Sequence, residues 1–475
     1  MQDESIAPAR GGARSTPLIV ASAMFMEQLD GTVLATALPT MAHDFHTRPL
    51  NMNVALTAYL LTLAMFIPAS GRIADRFGSR TVFRAAIGVF TLGSILCGLA
   101  SSLPWLVAAR MLQGAGGALM SPVGRLVMLR AVSKAELVRA MAWLMIPATI
   151  GPILGPPVGG LVVTYLSWRW IFFINVPIGL IGMVLVSVFI AEHREPRVAG
   201  GFDLMGLALS GTALACLMFG IEMASRGFGS GATAGWLVAV GIGSAGLYAR
   251  RARWHPRPIL DFTLMRIATF RQSVLSGSFS RIAAGAQPFL LPMMLQVGFG
   301  DSAARSGLIT FATSVGSLAM RFVAPALLRI LGFRAVMVWV GAGSALLIGG
   351  CAALRPGWPL FAVYMLLALN GFVQSLVFMA YNTIAYADIP RPRMSAATSF
   401  YATFQQMALS MGIAVSAAAL AGSVALTGHA GLQTGDFTVA FVAVAGIALL
   451  APLSSTQLDR AAGAELRGVR VRAGG

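Results

Sequence analysis

Two carboxylates, Glu27 and Asp30, sit inside the apolar run PLIVASAMFMEQLDGTVLATALP that extends from Pro17 to Pro39. At ~1.5 Å of rise per helical residue this run can cross a hydrocarbon layer ~30 Å thick, with Glu27 near its middle and Asp30 further out. A charge at that depth costs a few kcal/mol or more, so intramembrane acids are kept against protein or water, often in a proton or ion pathway. Their three-residue spacing puts both on one helix face. The chemistry open to them is uptake and release of a proton; the plainer alternative is a polar side chain that bonds a neighbouring helix for packing. Three cations are placed in the same way, Arg110, Arg281 and Arg321, each inside another apolar run. Arg110 falls ~9 Å from one end of its run and Asp30 about as far from the same side of the layer, so the two can meet. Pairing favours the charged carboxylate and burial the neutral one; a small rearrangement could load or release a proton, unless the pair is purely structural.

Arg281 and Arg321 both fall ~10 Å from the opposite side. No Asp or Glu lies in the last six apolar runs as drawn, so these cations need backbone carbonyls, water, an acid from elsewhere or an anionic cargo. Two readings stay open: they bond neighbouring helices or snorkel, or they line a site for a negatively charged substrate such as an organic acid. Gln113, Asn370 and Gln374 are further candidates for a polar cavity lining, and Phe25, Tyr59, Trp143, Phe289 and Phe378 could stack on an apolar ligand.

The elements that must position these residues are membrane spans. The chain has 475 residues, 57% hydrophobic and 11% charged, too little polar surface for a soluble protein. Fourteen spans are predicted, at about 17–39, 53–73, 82–101, 104–126, 139–163, 171–191, 203–224, 234–250, 274–296, 307–328, 335–353, 359–384, 396–421 and 437–457, the eighth being short. Most of the 34 Lys and Arg fall in the segments that lie inside if the N-terminus is cytoplasmic, which puts both termini inside. The net charge of +17 is therefore a topology signal and implies no nucleic-acid partner. Residues 1–16 read as a cytoplasmic N-terminus before an uncleaved first span, 17–191 as a six-helix bundle, 192–271 as a linker with two additional spans, 272–457 as a second six-helix bundle, and 458–475 as a cytoplasmic tail. A weak internal repeat, DRFGSRTVF from Asp75 and RILGFRAVM from Arg329, relates the halves and matches Gly78 to Gly332 and Arg80 to Arg334. Cys97, Cys216 and Cys351, each in an apolar run, offer neither a disulfide framework nor a metal site.

Four stretches carry more than composition. GRIADRFGSR at 71–80, between the second and third spans, combines Gly71 and Gly78, which permit a tight connection, with the charges of Asp75, Arg76 and Arg80. RMLQGAGGALMSPVGR holds Arg110 and Gln113 in the fourth span. GPILGPPVGG in the fifth sets Gly151, Gly155 and Gly159 at four-residue spacing on one face, beside Gly160, Pro152, Pro156 and Pro157; small residues permit close helix approach and prolines bend the span. WRWIFFINVPIG leads into the sixth with interface-favouring Trp168 and Trp170, and Asn175 and Pro177.

The first stretch resembles the G-x-x-x-D-R-x-G-R signature of the major facilitator superfamily, the second its R-x-x-Q-G motif, and the third the G-P-x-x-G-P-x-x-G-G motif of its antiporters. WRWIFFINVPIG, the LDGTVLATALP segment around Asp30 and the additional central pair of spans resemble drug:proton antiporters with fourteen spans, over about residues 17–457. In the second half Arg329 stands where the first has Asp75, a departure from the pattern. The resemblance implies an all-α polytopic fold of two six-helix bundles plus two central helices, working by alternating access. It implies that Asp75 and Arg80 gate, that the Gly/Pro span seals, and that Asp30, with Glu27 and Arg110, couples protons to export of small amphipathic compounds from a bacterial cytoplasm. The energy source would be the proton gradient, with no cofactor or metal, and the assembly a monomer. An exporter of an anionic metabolite is the alternative. A membrane enzyme is disfavoured because all five His fall in loops, and a channel because the polar residues are too sparse.

Overall fold

Among the described residues the chain forms fourteen long helical segments and no strand. The structure, a computed structural model, describes residues 12–47, 49–133, 136–192, 203–226, 231–256, 258–301, 303–428, 432–459 and 461–467. The segments are α1 (Gly12–Asp44), α2 (49–77), α3 (Ser79–Gly98), α4 (Leu103–Ala131), α5 (Leu137–Tyr165), α6 (Trp170–Phe189) and α7 (Leu204–Arg226). They continue as α8 (Gly231–Trp254), α9 (268–298), α10 (Ala303–Leu331), α11 (Phe333–Ala353), α12 (Leu360–Ile384), α13 (Met394–Thr427) and α14 (Thr434–Ser455). Ten of them are long and apolar enough to cross a membrane by length and composition, counted over the described residues.

The segments group into two compact units. One holds residues up to Leu207 together with Arg391–Ser399, and the other holds Ala208–Pro390 and the chain from Phe400 onward. In the first unit α1 lies along α5, α4 packs against α2 and α3, and α3 against α6. The second unit shares part of this pattern: α12 packs against α10 and α11 and α14 against α11, and α14 also packs against α9. Each unit has its own apolar core, one built around Val33, Leu34, Trp168 and Phe172, the other around Leu290, Leu367, Phe437 and Phe441.

The internal repeat has a conformational basis. Gly78 (φ 90°, ψ 138°) and Gly332 (φ 80°, ψ 160°) each break the chain just before α3 and α11, in a backbone region that side chains with a Cβ rarely enter. Two residues on, Arg80 donates to the carbonyl of Ser187 near the end of α6, and Arg334 donates to the carbonyl of Thr456 at the end of α14 (2.8 Å). In both halves, then, an arginine at the start of the third helix satisfies a carbonyl left open at the end of the sixth, where the helix dipole also favours a cation.

Several expectations shift. The eighth span, drawn as a short 234–250, is the 24-residue helix Gly231–Trp254. It runs on past the apolar stretch because Arg250, Arg251 and Arg253 suit a helix C-terminus. It packs on α7 through small residues: a methyl group on Gly241 would lie 2.7 Å from Leu217 Cγ and one on Gly220 3.0 Å from Leu237 Cβ. Trp168 is buried rather than interfacial, since its indole N–H donates to Asp44 (2.7 Å) and its ring meets Phe45 and Phe172 edge-on; Trp170 is exposed. Asp436, left outside the last span, belongs to the first turn of α14 as half of a capping box with Gln433. The side chains of Glu222 and Arg226, most of the N-terminal segment 1–16 and residues 468–475 of the tail lie outside what the structure describes.

Candidate functional site

Asp30, on α1, is 2% exposed, and three side chains donate to its carboxylate. Arg110 Nη1 reaches Oδ2 at 2.6 Å, Gln113 Nε2 reaches Oδ1 at 2.9 Å, and Asn175 Nδ2 reaches Oδ1 at 3.0 Å. The same Arg110 nitrogen donates to Gln113 Oε1 (2.7 Å), and both amide groups share Ser94 Oγ as their second acceptor, at 2.7 and 3.0 Å. Both N–H donors of each amide are used, which fixes which way Gln113 and Asn175 point. Arg110 and Gln113 are wholly buried. The guanidinium lies 4.2 Å from the ring centroid of Tyr59, while its Nε and Nη2 have no hydrogen-bond acceptor.

Five helices build this cluster, α1, α2, α3, α4 and α6, and glycines let them approach. A Cβ on Gly93 would lie 2.7 Å from Gln113 Cα, so its absence brings α3 onto the backbone that carries Gln113. A Cβ on Gly114 would lie 2.6 Å from the Tyr59 carbonyl, so α2 and α4 touch at the level where Tyr59 covers Arg110. Glu27 also reaches α4: its Oε2 accepts from Ser121 Oγ at 2.7 Å. The two acids of α1 therefore face one helix, two turns apart along it.

The buried ion pair is isolated from water and tied into a network with little slack. Removing one partner of such a pair leaves an uncompensated buried charge, which typically costs 3–5 kcal/mol. Protonating Asp30 has the same electrostatic effect, because Arg110 would keep only Tyr59 and Gln113. The arrangement can thus convert gain or loss of one proton into a force on five helices.

The glycines of GPILGPPVGG do different jobs. Gly151 and Gly155 face α1: a Cβ on Gly151 would lie 2.7 Å from Gln28 Cβ and 3.1 Å from Leu29 N, and one on Gly155 2.7 Å from Thr32 Cβ. Gly159 is buried, whereas a Cβ on Gly160 would meet nothing within 4 Å. The rings of Pro152 and Pro156 lie outside the described side chains. In GRIADRFGSR, Gly71 abuts the carbonyl of Ser395, Asp75 pairs with Arg130 on α4 (3.7 Å), and Arg76 is exposed beside the Phe77 ring. Arg80 points instead to the end of α6, and next to it Thr81 Oγ1 donates to Glu192 (2.5 Å). Asp75 and Arg80 therefore serve two different helix ends and do not pair with each other.

In the second unit, Arg281 on α9 is 2% exposed; its Nη2 donates to Tyr401 OH, and the guanidinium lies 4.7 Å from the Tyr401 ring centroid and 5.3 Å from that of Phe378. Arg321 is buried on α10. Asn370 on α12 is fully buried, and neither its amide nitrogen nor its oxygen has a hydrogen-bond partner; Gln374, one turn on, is partly buried. Sequence reasoning placed Asp30 opposite Arg110 but gave no role to Asn175, Ser94, Ser121 or Tyr401. An isolated Asn in the apolar run after WRWIFFI was the available signal for Asn175.

A bundle of long apolar helices with a buried acid, arginine and amide network at membrane depth defines a multi-pass integral membrane protein of the secondary-transporter type. The chain belongs to the major facilitator superfamily, whose family model matches residues 20–413. It is 38% identical over 402 residues to a Citrobacter koseri protein that carries the name multidrug resistance protein MdtD, covering 84% of each chain. The Escherichia coli K12 protein of that name gives 38% over 401 residues, again 84% of each. Among solved structures, the human organic anion transporter MFSD10 superposes with a TM-score of 0.65 at 15% identity, covering 93% of this chain and 99% of that one. The proton:xylose symporter XylE superposes with a TM-score of 0.64 at 14% identity, covering 96% and 97%.

Proposed function

We propose that the protein is a proton-coupled exporter of small amphipathic compounds, a multidrug efflux antiporter of a bacterial inner membrane, working as a monomer with both termini in the cytoplasm. The observation that carries this reading is the fully buried Asp30–Arg110 pair, with Gln113 and Asn175 completing the shell of the carboxylate. Asp30 takes the proton. Arg110, left without its counter-charge, drives the rearrangement that returns the empty carrier, and Glu27, donated to by Ser121, is a second acceptor on the same helix face. Gly151 and Gly155 keep α5 sealed against α1, and Asp75, Arg130 and Arg80 hold the helix ends of one gating state. The relatives named as multidrug resistance proteins support the class of cargo. The basic residues of the segments assigned to the inside support the orientation. One proton moving down a ~100 mV potential supplies ~2.3 kcal/mol, enough for about 50-fold accumulation of a cargo exchanged one for one.

Proteoliposomes provide the test: a panel of cationic, neutral and carboxylated fluorescent compounds is offered to wild type and Asp30→Asn under an imposed pH gradient. Wild type should accumulate at least one compound uphill while releasing protons, and Asp30→Asn should only equilibrate it. Undiminished uphill transport by Asp30→Asn refutes the assignment.

A further inference from the structure

We propose that Arg281 receives the negatively charged group of an anionic cargo, so that the compounds moved include aromatic or otherwise apolar carboxylates. This inference rests on the export reading and narrows its substrate class.

The first ground is charge balance within the second unit. Arg281 is a buried cation, yet α9 to α13 contain no Asp or Glu. The single acid of α14, Asp436, is occupied at the start of that helix by Ser423 Oγ (2.6 Å) and the Gln433 amide (2.8 Å). Buried guanidinium groups are normally satisfied by carboxylates. Here Tyr401 OH takes one nitrogen, the Phe378 and Tyr401 rings cover the group, and Nε is buried with no acceptor. A guanidinium held in place with an N–H still unpartnered can donate a charge-assisted hydrogen bond to a carboxylate.

The second ground is the repeat. The register that matches Gly78 to Gly332 also matches Glu27 to Arg281. Contacts agree: Gly151 of α5 abuts Gln28, the residue after Glu27, and Gly412 of α13 abuts Ile282, the residue after Arg281. Between α4 and α12 the register is three residues longer, because Gly114 abuts the Tyr59 carbonyl and Gly371 the carbonyl of Thr313, the match of Tyr59; the R-x-x-Q-G of α4 thus falls on Leu367–Gly371 of α12, and Ser121 corresponds to Phe378. Glu27 meets Ser121, and Arg281 meets Phe378. The second half thus carries a cation where the first carries an acid.

The third ground is Asn370, which occupies the place of Gln113 when α12 is matched to α4 through the contacts of Gly114 and Gly371. Gln113 is fully satisfied, but Asn370 is fully buried with both amide atoms unpartnered. It shares a face of α12 with Gln374 and Phe378, about 12 Å along the axis from the latter. A buried amide left open is expensive unless something polar occupies it for part of the cycle.

The experiment is equilibrium binding of 2-naphthoate and its neutral isostere 2-naphthamide to the full-length protein in detergent, with no gradient present. Wild type should bind the carboxylate about tenfold or more tightly than the amide, as expected for a charge-assisted pair. Arg281→Gln should erase that preference while leaving naphthamide within about twofold of wild type, and Arg281→Lys should keep part of it. Equal affinity of wild type for both ligands, including no binding of either, overturns the proposal, as does an unchanged preference in Arg281→Gln. Loss of both ligands alike in Arg281→Gln assigns the arginine a structural role and overturns it too. Because binding in detergent is independent of coupling, failure here is distinct from failure of the Asp30→Asn vesicle assay.

Discussion

Replacing Gly155 by alanine puts a methyl group into the contact between α5 and the helix that carries both acids. The new carbon would lie 2.7 Å from Thr32 Cβ and closer still to Thr32 Oγ1, where ordinary carbon contacts are ~3.5–4.0 Å, so the helices must part by about 1 Å. Thr32 cannot readily turn aside, because its hydroxyl is held by the Gln28 and Leu29 carbonyls at 3.2 and 3.1 Å. Overpacking of this kind costs ~1–3 kcal/mol, offset by the ~1 kcal/mol that alanine gains over glycine in a helix, which leaves a net loss of up to about 2 kcal/mol. Gly160→Ala belongs to the same motif but meets no atom within 4 Å, so it should keep only the gain. Thermal unfolding of the two variants in detergent, followed by tryptophan fluorescence, should place Gly155→Ala below wild type and Gly160→Ala at or above it. Adding Thr32→Ala should return part of the loss, with a coupling of about 1 kcal/mol. If Gly155→Ala melts no lower than Gly160→Ala, the close approach of α1 and α5 is refuted.

Two other outcomes follow from geometry already described. Asn175→Leu removes a donor from the Asp30 carboxylate, a change worth about 1.5–3 kcal/mol, and should lower uphill transport in vesicles roughly tenfold or more while the protein still elutes as a folded species. Gly78→Ala and Gly332→Ala each force a side chain into a left-handed backbone and should each lower stability by about 1–3 kcal/mol in the same unfolding assay; equal melting of wild type and Gly332→Ala contradicts the helix break.

The meeting of Asp30 and Arg110 was legible in the sequence because depth is a single coordinate, obtained by multiplying residues by helical rise. Which faces of five helices converge is a question of azimuth, and the sequence holds it only in fragments. Asn175 and Ser94 therefore went unassigned although both are polar residues in apolar runs. The same limit applied to GRIADRFGSR, where Asp75 and Arg80 share one stretch of sequence but α4 offered Arg130 to the former and the end of α6 drew in the latter. The repeat was readable through Gly78 and Gly332 because a backbone angle that favours glycine leaves a mark that survives when the surrounding side chains diverge. The opposition of Glu27 and Arg281 needed contacts, since neither residue type announces the other.

Arginine keeps its charge at any acidity a cell encounters, whereas a carboxylic acid does not. Glu27 and Asp30 lie on α1 and Arg281 at the matching place on α9, and the sequence of α9 to α13 has no Asp or Glu. On the two proposed assignments, acidifying one side of the membrane acts directly on the first half, and the second answers to the charge that the transported molecule brings with it.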